Sequence, residues 1–98
     1  IISGGVNVAP LAIEREIRSL PWVVDVAVVG VPDAEWGERV TAAVVLETGD
    51  SRSATELLEA LPEELTGARR PKAVVRVDAL PLNPNGKVDR AAIRRRLA

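Results

Sequence analysis

The chain has 98 residues, enough for one small domain with a modest core. It contains no cysteine and no histidine, which excludes thiolate catalysis, Cys/His zinc sites and histidine acid–base chemistry. No apolar run approaches the roughly 20 residues of a membrane-spanning helix, and no signal-peptide pattern is present. We therefore expect a cytoplasmic protein without a membrane span.

Charge is distributed unevenly along the chain. The formal net charge is −1, yet residues 82–98 carry five of the thirteen Lys and Arg side chains and one of the fourteen acids. A basic end favours an anionic ligand such as a nucleotide. The alternative is a solvated terminal helix whose Arg94, Arg95 and Arg96 interact with its own dipole. Nucleic-acid binding is disfavoured, because no aromatic side chains are interleaved with these arginines.

The first predicted feature is a glycine turn at residues 3–7, after a possible short strand at residues 1–3. Gly4 and Gly5 give this backbone a freedom that other residue pairs lack. The turn is either a plain connection or a segment that a ligand approaches closely, since no Cβ intrudes.

A helix is predicted to begin at Pro10, where a missing N–H costs nothing. Glu14 is predicted to face water and to pair weakly with Arg18, four residues on. Pro21 ends the helix. The predicted apolar face consists of Ile13, Ile17 and Leu20.

Three strands are predicted from runs of β-branched residues. Residues 23–29 indicate a strand with one well-buried face, ended by residues 30–33. Residues 40–46 and 73–77 indicate two more. Trp36, in the polar connection between the first two, is interpreted as a cover over the sheet edge.

Two more helices are predicted. Ser53 and Glu56 form the pattern of a capping box at the start of one, although Pro62 should kink or split it. Asp89 is placed to cap a short final helix, with Ile93 and Leu97 facing inward. The buried face of the middle helix is predicted to be Leu57, Leu58, Leu61 and Leu65. The chain is therefore predicted to be α+β, a small sheet of about three strands covered by three helices.

The most constrained stretch is residues 80–90, which carries Lys87. Two prolines, two asparagines and a glycine fall within seven positions, a composition that favours an ordered loop over a helix or strand. The loop either presents Lys87 for function or is an ordinary turn with a solvated lysine. It is not a phosphate-binding P-loop, because the residue after Lys87 is Val88 rather than Ser or Thr.

Three motifs resemble one family in that family's order. Pro81-x-x-x-x-Gly86-Lys87-x-x-Arg90 is similar to the last signature of adenylate-forming enzymes, which include acyl-CoA synthetases, luciferases and peptide-synthetase adenylation domains. Residues 3–8 (Ser-Gly-Gly-Val-Asn-Val) resemble the family's glycine loop, and residues 28–38 resemble the segment between the two. The resemblance covers nearly all of the chain and implies the α+β fold of the family's small C-terminal domain.

The resemblance implies roles for particular residues. Lys87 would be the lysine that stabilises negative charge during adenylation. Gly4 and Gly5 would line the tunnel by which the pantetheine of coenzyme A reaches the acyl-adenylate. No metal ligands are implied in this chain. The resemblance implies supporting roles for Ser3, Asn7, Gly86 and Arg90.

The resemblance also implies that residues 1–98 are the mobile C-terminal lid of a longer AMP-forming ligase. The N-terminal domain, which would bind ATP with Mg²⁺ and the carboxylic acid, and the hinge before Ile1 would then lie outside this sequence. The partner of the chain would be that N-terminal domain. The isolated chain is expected to be inactive and to bind neither ATP nor coenzyme A alone.

The acid is suggested by one variation on the family pattern. Val6 stands where many acyl-CoA synthetases have Glu, and with residues 82–90 this resembles o-succinylbenzoate-CoA ligases of menaquinone biosynthesis. Medium-chain or aromatic acyl-CoA synthetases are the alternative within the family. A non-catalytic interaction or regulatory module of the same fold is the alternative outside it.

Overall fold

The computed structural model describes residues 1–98. Three α-helices and five strands form in the order β1, β2, α1, β3, β4, α2, β5, α3, with a short 3-10 helix at Gly67–Arg69 before β5. Their bounds are β1 Ile2–Ser3, β2 Val6–Asn7, α1 Pro10–Arg18, β3 Val23–Asp33, β4 Gly37–Leu46, α2 Ala54–Glu59, β5 Ala73–Arg76 and α3 Arg90–Leu97.

Strand β4 is the centre of the sheet. It pairs antiparallel with β3 along one edge, from Val23–Leu46 to Asp33–Gly37. Its other edge takes β5 in parallel and, at Gly37 alone, Ser3 of β1. β1 and β2 form a two-residue antiparallel hairpin. The predicted α+β class is confirmed, with β3, β4 and β5 as the expected three strands and the hairpin as a small addition.

Apolar side chains cover both faces of this sheet. Alternate residues of β3 point to opposite sides, so Val26 and Val28 lie in one core while Ala27 and Val29 lie in the other. Helices α1 and α2 pack on the first face and α3 on the second. The run of β-branched residues predicted one well-buried face for this strand, which is wrong because helices cover both sides.

The prediction that Glu14 faces water is also wrong. Glu14 is only 3% exposed, because it lies beside the apolar stripe of α1 that faces the sheet. Its predicted partner Arg18 lies instead near Asp25, with Nη2 to Oδ1 at 3.8 Å between two half-exposed side chains. The buried carboxylate of Glu14 is paired with a residue far along the chain, described below.

The predicted capping box and helix break are both confirmed. Ser53 Oγ accepts from the N–H of Glu56, and the Glu56 carboxylate accepts from the N–H of Ser53. α2 ends at Glu59, before Pro62. The Arg70 guanidinium donates to the carbonyl oxygens of Leu58, Pro62 and Leu65 at 3.1, 3.1 and 3.2 Å. This side chain satisfies acceptors that a continued helix would have used.

The final helix begins as predicted. Asp89 caps it, because its Oδ1 accepts from the N–H of Ala92 at 3.0 Å. Ile93 is buried in the second core, and Leu97 packs against it. None of the three helices has the length and hydropathy of a membrane-spanning segment.

Candidate functional site

The glycine turn is the tip of the β1–β2 hairpin. Gly4 and Gly5 have φ of +56° and +81°, and Ser3 pairs with Val6 on either side of them. Two consecutive left-handed residues are the geometry of a type I′ turn, which strongly prefers glycine. The sequence prediction of special backbone here is confirmed.

The hairpin is held against the start of β4. The N–H of Gly4 donates to the carbonyl oxygen of Trp36 at 2.9 Å. A Cβ on Gly4 would lie 3.1 Å from the Trp36 ring, whereas a Cβ on Gly5 would meet nothing within 4 Å. Lys72 Nζ lies 4.7 Å from the centroid of the same ring. Gly5 therefore faces open space, and Gly4 faces an aromatic surface.

The two neighbours of the glycines differ in environment. Ser3 is 1% exposed, and its Oγ has no hydrogen-bond partner. Asn7 lies exposed on β2. Of these two residues, only Ser3 has a buried side-chain polar atom.

The lysine loop is a second hairpin tip. Leu82 pairs with Val88, the N–H of Asn83 donates to the carbonyl of Lys87 at 2.7 Å, and the N–H of Gly86 donates to the carbonyl of Asn83 at 2.9 Å. Gly86 has φ of +79°. A turn that ends in a left-handed glycine is the usual three-residue hairpin loop.

The side chain of Asn83 stiffens this loop from within. Its Oδ1 accepts from the N–H groups of Asn85 at 2.9 Å and Lys87 at 3.1 Å. The Lys87 side chain itself is exposed and forms no ion pair. The backbone of Lys87 is thus fixed while its ammonium group stays available to a partner.

Arg90, the last residue of the lysine motif, is turned inward. Its Nη2 lies 2.7 Å from Oε1 and 2.6 Å from Oε2 of Glu14. The same Glu14 Oε2 accepts from the N–H of Val28 at 2.9 Å. One buried carboxylate therefore joins α1, β3 and α3.

A second polar contact lies one helical turn along α3. Arg94 Nε donates to the carbonyl of Gly30 at 2.9 Å, and its Nη2 lies 3.9 Å from Glu38 Oε2. Glu38 Oε1 accepts from the N–H of Ile2 at 3.0 Å. A Cβ on Gly30 would overlap the Glu38 carboxylate, so a larger residue there would have to displace the end of the Glu38 side chain.

The turn beneath the hairpin is organised by Asp33. Its Oδ1 accepts from the N–H groups of Trp36 and Glu35, and its Oδ2 accepts from Arg39 Nη1 at 3.0 Å. The hydrogen bond from Trp36, then that from Glu35, holds the pKa of this carboxyl below its ordinary value, and Arg39 acts in the same direction.

The structure thus divides the predicted site residues into two groups. One group lies on the β1–β2 hairpin, and the other lies on the lysine loop and the start of α3. No three His, Cys, Asp or Glu side chains converge in a way that could hold a metal ion. The hairpin group is Ser3, Gly4, Gly5 and Asn7, and the loop group is Gly86, Lys87 and Arg90.

Sequence reasoning missed Glu14, Glu38 and the bracing role of Asn83. Glu14 and Arg90 are separated by 76 positions, so no local pattern joins them. Two features of the sequence could have indicated Glu14 and Asn83. Glu14 lies beside an apolar stripe, and Asn83 stands two residues before Asn85 in a turn, where an asparagine side chain often binds the backbone.

A family model for the AMP-binding enzyme C-terminal domain matches residues 12–87, most of the chain, up to and including Lys87. The chain belongs to this family. Its relatives include a medium/long-chain-fatty-acid–CoA ligase of Mycobacterium tuberculosis, 42% identical, and a feruloyl-CoA synthase of Amycolatopsis, 43% identical. Each alignment covers 98% of this chain and 18% or 20% of the relative.

Solved structures share the fold of this AMP-binding C-terminal domain. ATP-bound MatB from Rhodopseudomonas palustris superposes with a TM-score of 0.89 at 43% identity, over 98% of this chain and 19% of that one. The chain therefore spans about a fifth of the length of the relatives that it matches. The predicted resemblance to the C-terminal domain of adenylate-forming enzymes is confirmed.

Proposed function

We propose that this domain is the mobile C-terminal lid of an ATP-dependent, AMP-forming acid–CoA ligase. The observation that carries the proposal is Lys87, an exposed and unpaired ammonium on a braced loop, within a chain of the AMP-binding C-terminal domain family. The relatives are CoA ligases and synthases in which this domain is about a fifth of the chain. The domain's partner is then its own N-terminal domain, which would hold ATP and the acid.

Lys87 addresses the electrostatic difficulty of the first half-reaction. The carboxylate and the α-phosphate of ATP are both anionic, and negative charge grows on the phosphates as pyrophosphate leaves. An ammonium held beside these oxygens stabilises the transition state, and the effect increases when the closing domain excludes water. A fixed backbone with a free side chain suits a group delivered by a moving domain.

The glycine hairpin addresses the second half-reaction. After adenylation the lid would rotate, Lys87 would withdraw, and the hairpin would face the active site. Gly4 and Gly5 would then line the path of the pantetheine chain, since backbone without Cβ leaves space for a narrow ligand. The open space beside Gly5 supports this assignment.

The acid is proposed to be a fatty or aromatic carboxylic acid. The acid pocket lies outside the 98 residues, so the proposal relies on relatives named for medium/long-chain fatty acids and for a feruloyl product. o-Succinylbenzoate, an aromatic acid, stays the specific prediction, with menaquinone biosynthesis as its setting. Pyrophosphate release by the full-length protein with decanoate, ferulate and o-succinylbenzoate would rank these substrates.

The decisive experiment separates the two half-reactions in the full-length protein. Lys87→Ala should slow acid-dependent ATP–pyrophosphate exchange by about 10²–10³-fold, the usual effect of removing a group that stabilises transition-state charge. Thioester formation from preformed acyl-adenylate should stay near the wild-type rate. Arg95→Ala, which removes an exposed cation of α3, is the matched control.

Equal loss in both half-reactions would mean that Lys87 is structural. The 98-residue chain alone should show background pyrophosphate release, and turnover there would contradict the division of roles. Failure of the wild-type full-length protein with decanoate, ferulate and o-succinylbenzoate, and with malonate, for which another relative is named, would favour the non-catalytic module.

A further inference from the structure

We propose that Glu14 and Arg90 are positioning residues for adenylation, and that the ion pair between the buried Glu14 carboxylate and the partly exposed Arg90 guanidinium sets where the Lys87 loop lies on the domain. The inference rests on the proposed function, because it concerns how the adenylation lysine is presented. Neither residue is proposed to touch the substrate.

The loop is rigid within itself but has few attachments to the body of the domain. All hydrogen bonds made by residues 81–88 stay within residues 81–89. The segment is anchored on the incoming side by Leu80, which is buried in the second core. On the outgoing side Val88 packs against the same core, and Arg90 is the first side chain that forms a hydrogen bond to the body, three residues after Lys87. The direction of the loop therefore depends on apolar packing by Leu80 and Val88 and on one polar anchor, Arg90.

Glu14 gives the outgoing anchor a fixed position. Its side chain is 4% exposed, and both of its oxygens bind Arg90 Nη2. The N–H of Val28, in the middle of β3, donates to the same carboxylate and holds it against the sheet. Charge-assisted hydrogen bonds of this kind are short and directional, and a buried ionised group tolerates little displacement. The first turn of α3 is thus tied to both α1 and β3.

The test is a double-mutant cycle in the full-length protein with Glu14→Gln, Arg90→Met and both together. Each single variant should lower kcat for ATP–pyrophosphate exchange about tenfold, because misplacing a reacting group has effects of this order or more. KM for ATP should stay within about twofold, since ground-state binding is not altered. The double variant should be no slower than the slower single variant, as for two residues acting through one contact.

Two further readouts separate positioning from general stability. Amide exchange of residues 83–89 should quicken in each variant, while thioester formation from preformed acyl-adenylate should stay within about twofold of wild type. Glu63→Gln removes an exposed carboxylate and should change nothing. Ile17→Val removes a methylene from the other core and should lower the melting temperature without slowing pyrophosphate exchange.

Three outcomes would overturn the inference. If only Arg90→Met slows exchange, Arg90 acts on the nucleotide itself and Glu14 does not position it. If both half-reactions fall equally, the ion pair is only structural. If amide exchange in the loop is unchanged in both variants, the pair does not set the loop. Inactivity of the wild-type protein with every acid is a separate result, since it counts against the proposed function while the amide-exchange comparison still tests the ion pair.

Discussion

The two hairpin tips of this domain differ in what they expose. The glycine hairpin presents backbone: Gly4 and Gly5 carry no side chain, and the hairpin is held from outside by the carbonyl of Trp36. The lysine loop presents a side chain: Lys87 is exposed, and its backbone is held from inside by Asn83. One tip presents bare backbone, and the other presents a charged side chain.

Under the proposed function, this difference would let one small sheet serve two chemical steps. The glycine hairpin joins the first residue of β4, whereas the lysine loop leads into α3 on the second face of the sheet. The two tips are therefore attached to different parts of the fold, so a substitution at one tip need not disturb the other. If the tips serve different half-reactions, substitutions in the lysine loop should slow adenylation alone, and substitutions in the glycine hairpin should slow thioester formation alone.

After Lys87→Ala, the largest effect in this comparison is expected at Gly5. Gly5→Leu places a side chain in the open space beside the hairpin and should slow thioester formation by about 10²-fold, a loss of the size that small misplacements in a site produce. ATP–pyrophosphate exchange should stay near wild type. The rates of both half-reactions in the full-length protein measure the split.

Gly5→Ala is the matched control for this substitution. Both variants place a Cβ on a residue with φ of +81°, so both share the backbone strain, but only Leu adds bulk. If Gly5→Ala is as slow as Gly5→Leu, strain rather than obstruction explains the loss, and the tunnel assignment fails.

The sequence predicted the tips better than their supports. Gly4, Gly5 and Gly86 were identified because positive φ is a local property that glycine signals by itself. The helix starts at Pro10 and Ser53 were also predicted from local signals. Proline suits the first turn of α1, and the capping box of α2 lies within four residues, Ser53 to Glu56.

Contacts between distant elements were not predictable in this way. In the sequence, Glu14 is one of several charged residues in a helix with an apolar stripe. Its partner Arg90 becomes apparent only when α3 packs against the domain. The second buried face of β3 was missed because continuous apolar runs do not say which side a helix covers. Local conformation is encoded nearby, whereas the partner of a buried charge depends on the complete fold.

A smaller effect is expected at Asn83. Asn83→Ala removes two hydrogen bonds within the lysine loop, each worth about 0.5–1.5 kcal/mol. A loss of about 1.4 kcal/mol in positioning corresponds to about a tenfold slower ATP–pyrophosphate exchange. Thioester formation should be unchanged. Fixed-time assays of the two half-reactions measure both rates.

Asn83→Asp is the control, because a carboxylate oxygen can accept from the same two N–H groups. It should retain most of the exchange activity. A slow Asn83→Asp beside a fast Asn83→Ala would show that charge near Lys87, and not the stiffness of the loop, controls the step.

The smallest effect is expected from Asp33, which supports the glycine hairpin indirectly through the Trp36 peptide. The hydrogen bonds from Trp36 and Glu35 hold the pKa of Asp33 below its ordinary value in the folded state. A depressed folded pKa contributes stability that is fully present above the unfolded value of about 3.9 and is lost as pH falls through the folded pKa. Asp33→Asn should therefore lower the denaturation midpoint at pH 7, and the difference from wild type should shrink below about pH 4.

Urea denaturation of the 98-residue chain between pH 7 and about pH 2 measures this difference, and Asp78→Asn, which removes an exposed carboxylate without hydrogen bonds, reports the effect of charge alone. Because the Asp33 contacts lie at the surface, the difference should be modest. A gap between wild type and Asp33→Asn that stays constant at low pH would mean that the carboxylate form does not hold the turn. The support of the glycine hairpin would then come from the backbone bond between Gly4 and Trp36 alone, unlike the side-chain bracing of the lysine loop.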